Sequence, residues 1–147
     1  MPLNPGERNA LGRRLTVAAP KLRERLAAFH RWLPAAAVKV REPQIAPLVE
    51  GGRVIAVDTP LGRLSLAEEF GRREDRLIAR IVFYRPAGGL LSEARAVYAV
   101  ELRDDYMAYF DPPGPATEFE WDHNEDDWAA RNVLRLGYEL AIACSEA

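Results

Sequence analysis

Apolar residues recur at spacings of four, three and four from Leu22 through Leu26 and Phe29 to Leu33, and Lys21, Arg23, Glu24, Arg25 and Arg31 fall between them. That is the pattern of a helix buried along one stripe. Pro20 suits a first turn, and Pro34 predicts the helix end. Leu15 and Ala18 continue the stripe backwards, so the alternative start lies earlier, with a bend at Pro20. Residues 1–14 are polar and carry Pro2, Pro5 and Gly6, which reads as a mobile arm, although Leu11 and Leu15 can open a helix.

After a proline-rich connector from Pro34 to Pro47, in which Val38 and Val40 suggest a sheet edge, the period changes from helical to alternating. Arg53 to Asp58 and Arg63 to Phe70 flank Thr59, Pro60, Leu61 and Gly62, which predicts a hairpin. Gly71 to Asp75 is a polar turn. Arg76 to Arg85 is apolar on both faces, as expected of a central strand. Further strands are predicted over Ala94 to Arg103, where Ala96, Tyr98, Val100 and Leu102 share a face, and over Tyr106 to Phe110. A short edge strand carries Phe119 and Trp121. Asn124 can then cap a closing helix that begins with Glu125, Asp126 and Asp127, acids suited to the positive end of a helix dipole, and runs to about Cys144.

These elements assemble most simply as one α+β domain over 1–147: two layers, a curved antiparallel sheet of five or six strands, and an N-terminal and a C-terminal helix on one face. If the other face stays bare, Ile78, Val82, Tyr84 and Val97 form an apolar patch on it.

The 147 residues are 48% hydrophobic and 29% charged, which suits one folded unit rather than a disordered chain. A lone cysteine, Cys144, cannot form an internal disulfide, and no long uncharged apolar run is present. A cytoplasmic protein without a membrane span is expected. The excess of arginine over lysine, with abundant alanine, suggests a bacterial source. The net charge of −2 hides an asymmetry: nine basic residues against two acids in 1–41, eight of each in 42–100, and three against twelve in 101–147. Either the ends neutralise each other or one offers a single-signed face to a partner.

Candidate chemistry is sparse. The acidic run from Glu118 to Asp127 lacks the glycine and ligand spacing of a calcium loop, and Glu120 with His123 is a single Glu-x-x-His across a strand-helix junction, so no metal and no cofactor are expected. Neither a G-x-S-x-G elbow nor a phosphate loop occurs, and Cys144 sits at the wrong helix end for an activated thiol. The basic block suits phosphates, but an overall pI of about 5.8 without a nucleic-acid-binding motif makes nucleic acid an unfavoured partner.

No catalysis is expected. In helix, sheet, helix order and acidic pI the chain is broadly similar to small bacterial secretion chaperones and other adaptor domains, which implies a non-enzymatic module that binds protein. The expected partner-binding residues are Phe119, Trp121, Asp122, Glu125, Asp126 and Trp128, aromatic anchors among acids, and a homodimer is part of that reading. The alternative is a small-molecule or enzymatic pocket between sheet and helices that uses His30, Tyr84 and Tyr98.

Overall fold

The computed structural model describes residues 2–40, 45–85, 94–103, 107–111, 118–120 and 126–146. Its first element is a single long helix, α1 (Pro5–Ala37). Asn4 caps it, its side-chain oxygen accepting from the Glu7 N–H at 2.7 Å, with Pro5 in the first turn. Residues 5–14, expected as an arm, are thus helical, and Pro34 does not end the helix. Each internal proline removes one helix bond. For Pro20 the orphaned carbonyl is that of Thr16, and both residues are exposed, so water can serve it. Beyond Pro34 the last turn is held by packing, since Leu33, Ala36 and Ala37 are buried.

Seven strands follow: β1 (Ala46–Glu50), β2 (Arg53–Thr59), β3 (Gly62–Arg73), β4 (Arg76–Arg85), β5 (Arg95–Leu102), β6 (Met107–Asp111) and β7 (Glu118–Glu120). A second helix, α2 (Asp126–Glu146), completes the fold. The strands pair antiparallel in chain order, with β4 in the centre as its doubly apolar sequence requires. Strand β1 replaces the edge expected at Val38 and Val40, because Val38 is the exposed C-cap of α1. Gly51 and Gly52, both at positive φ, make the tight β1–β2 turn.

The predicted two-layer α+β architecture is present. Leu22, Leu26, Phe29 and Leu33 of α1 and Val133, Leu136 and Leu140 of α2 form one buried cluster with Val57, Leu64, Ile81, Phe83, Tyr98, Val100 and Leu102. The register places those sheet residues on one face, so both helices cover the same side. Among the described residues no helix is long and apolar enough to cross a membrane.

Two bulges alter the predicted faces. Leu48 lies opposite Ala56 and Val49 opposite Val54, so Ile55 is an extra residue and Val54 turns into the core. Phe83 pairs with Tyr98 but Tyr84 with Ala96, so Val97 is the extra residue, and Ala96 leaves the face expected for it. The far side of the sheet is also not the apolar patch anticipated. Ile78 and Val82 are 3% and 5% exposed, Tyr84 is half-buried, and Val97 packs against the core.

Candidate functional site

Among the described residues the β3–β4 hairpin has the longest pairing, from Ser65–Tyr84 to Arg73–Arg76. Its tip carries two local costs. Glu74 adopts φ 56°, a left-handed conformation that side chains resist, and Arg73 faces Arg76 directly, a like-charge pair. Such costs concentrate where a site needs them. Asp75 ties the tip to α1 by an ion pair with Arg14 at 3.7 Å.

Between the tip, the end of β5 and the first half of α1 lies a cleft of about 710 Å³. Half-buried Ala18 and Leu77, backed by the buried Leu22 and Ile78, give it a narrow apolar surface, and five arginines, Arg14, Arg72, Arg73, Arg76 and Arg103, line it together with Glu74 and Asp75. Arg72 and Leu77 share the helix-covered face, whereas Arg73, Arg76 and Ile78 share the other, so the cleft wraps round the end of the sheet.

Two of these arginines are fixed by one carboxylate. Glu101, 1% exposed on β5, accepts from Arg73 Nε at 2.8 Å and from Arg103 Nε at 2.6 Å. Arg103 also lies 3.7 Å over the Tyr109 ring, a cation–π contact. A buried carboxylate is tolerated only when so paired. The sequence patterning passed over Glu101, although a single acid flanked by Val100 and Leu102 is an available clue. Guanidinium groups offer hydrogen-bond donors in a planar fork, which can hold a carboxylate or a phosphate.

A second polar cluster lies under α1. His30 is 5% exposed, and its Nδ1 accepts from the Val54 N–H at 2.9 Å. That bond assigns the proton of the neutral ring to Nε2, which pairs with Glu68 Oε1, while Arg53 donates to Glu68 Oε2. The bulge creates this arrangement: the β2–β3 ladder ends at Ala56–Ser65, and Val54 turns its N–H to the histidine. Burial acts to raise the Glu68 carboxyl, but the hydrogen bonds from Arg53 and His30, with the charge of Arg53, outweigh it and hold the group below the ordinary glutamate range. His30 is therefore a clasp between helix and sheet. Because α1 continues to Ala37, it lies about two turns before the helix end.

The residues expected to form a pocket are not brought together. Tyr98 faces the helices, its hydroxyl donating to Glu139 Oε2 at 3.3 Å, whereas Tyr84 lies on the opposite face and His30 sits over β2. Of the expected partner-binding segment, Trp121, Asp122 and Glu125 lie outside the described residues, as does His123. Phe119 occupies the β7 position opposite Ala108, and Asp126 and Trp128 belong to the first turn of α2. Cys144 is buried in the core, and its carbonyl accepts from Arg85 Nη2 at 3.1 Å. Among the described residues no three His, Cys, Asp or Glu side chains gather as metal ligands. Comparison with known proteins finds no family model, no curated protein and no solved structure that matches the chain.

Proposed function

We propose that the protein is a non-catalytic binding module that holds a segment of a partner protein in the arginine-walled cleft. The observation that carries this reading is the convergence of five arginines from α1, β3, β4 and the end of β5 on an apolar floor, at a hairpin tip that bears both backbone strain and a like-charge pair. Small apolar surfaces ringed by arginine suit protein recognition, because the guanidinium plane pairs with carboxylates while the floor takes an aliphatic side chain. Nucleic acid fits less well. Among the described residues no aromatic ring lines the cleft to stack a base.

The test is site-specific photocrosslinking from position 18 in the native host. A discrete protein adduct is expected, identified by mass spectrometry and lost when Arg72→Glu and Arg76→Glu are combined. Adducts to nucleic acid or metabolites alone, or an adduct indifferent to the charge reversals, overturn the reading. An adduct of the mass of two chains identifies a second copy as the partner.

A further inference from the structure

We propose that the outer face of α2 is a self-association surface, across which a second copy of this chain packs its own α2, antiparallel, about a two-fold axis at Tyr138. Helix α2 is apolar on two sides. Val133, Leu136, Leu140 and Cys144 turn into the core, whereas Tyr138 and Ile142, one turn apart, are 55% and 51% exposed, with half-buried Leu134 and Ala141 beside them. On α1, by contrast, Val17 is the single large apolar side chain exposed among the described residues. A helix that seats one side in a core and shows solvent a second apolar stripe, at Leu134, Tyr138 and Ile142, is patterned for two neighbours. The fold supplies the first.

Two features of the stripe point to a second copy turned end for end. One is symmetry. Leu134 and Ile142 stand four residues to either side of Tyr138, and Arg131 and Ser145 seven to either side, so a two-fold axis there sets Leu134 of one copy against Ile142 of the other. Arg131 then meets Ser145. The other feature is charge: Arg131 and Arg135 precede Tyr138, and Glu139 and Glu146 follow it. Antiparallel helices therefore lay each arginine pair along the acidic half of the other copy, whereas parallel ones stack like on like. Moreover, α2 has no basic residue in its last turn, and Arg131 of the other copy lies over that end, where the carbonyl dipoles favour a cation. The cleft is lined from α1 and the sheet, so the two surfaces share no residue. One helix pair is a small interface, and the dimer is accordingly a weak, reversible one.

Sedimentation equilibrium of the full chain, from low to high micromolar concentration, tests this. Monomer should give way to dimer as concentration rises, without larger species. Tyr138→Lys and Ile142→Lys, both on the exposed side, should each weaken the dimer at least tenfold with an unchanged melting profile. Chains carrying Arg131→Cys are then mixed with chains carrying Ser145→Cys and treated with a short bis-maleimide, which should join unlike chains in preference to like ones. Cys144 is buried and does not compete. This pair keeps the apolar stripe intact, so it decides between the outcomes if a lysine variant is unstable. A monomer throughout the range, a dimer indifferent to both lysine substitutions, or cross-links formed mainly between like chains overturns the inference.

Discussion

Glu68 links protonation to stability. Its folded carboxyl titrates below the unfolded value of about 4.3, so the stabilisation it supplies is complete above that value and is lost as pH falls through the folded one. Glu68→Gln should cost about 1–2 kcal/mol at pH 6, with the difference from the parent chain shrinking toward pH 3 in urea titrations. A pH-independent difference would show that the clasp does not depend on the charge of the carboxylate. His30→Ala leaves the Val54 N–H and a Glu68 oxygen without their partner and should cost about 2–3 kcal/mol by the same titration. At the hairpin tip, Glu74→Gly relieves a left-handed φ and should stabilise by about 0.5–1 kcal/mol, seen as a raised thermal midpoint. None of these partnerships was legible from spacing. Glu68 stands 38 positions from His30, and Arg73 stands 28 from Glu101, so only the fold brings each pair together.

At the scale of elements, α1 sets local cost against packing. Pro20 lies on an exposed face of a helix otherwise secured by Leu22, Leu26, Phe29 and Leu33, so Pro20→Ala should restore the bond to Thr16 and raise stability by about 1–3 kcal/mol in chemical denaturation. An unchanged or lowered stability would mean that the proline sets a bend the core requires. The hydrophobic stripe announced this helix correctly, and the two prolines misdirected only its ends, because tertiary burial outweighs propensity over 33 residues. Strand β4 was legible to the residue, since both faces are apolar. The bulges were not: an inserted Ile55 or Val97 looks like any other β-branched residue, and only the partner strand reveals it as extra.

For the molecule as a whole, α+β class, antiparallel pairing and the shared helix face follow from alternation and short turns, which were visible in the chain. Phe29 is fully buried between helix and sheet, and Phe29→Ala should destabilise by about 3–5 kcal/mol, measured by denaturant titration. The arginine cleft was hidden for a different reason. Its residues come from α1, from the hairpin tip and from the end of β5, and each alone resembles an ordinary solvated charge. The charge asymmetry did not point to it, for Arg14 of the basic block pairs with Asp75 in the neutral middle of the chain and not with the acidic end.

The strictly sequential strand order has a bearing on biosynthesis. Each hairpin can zip up as it leaves the ribosome, because its second half always follows directly on its first. The opening rod has no such advantage: it is translated before every surface that shelters it. Its leucine-rich flank remains uncovered until the central strands emerge, and that interval is when a nascent chain of this design is most exposed to aggregation.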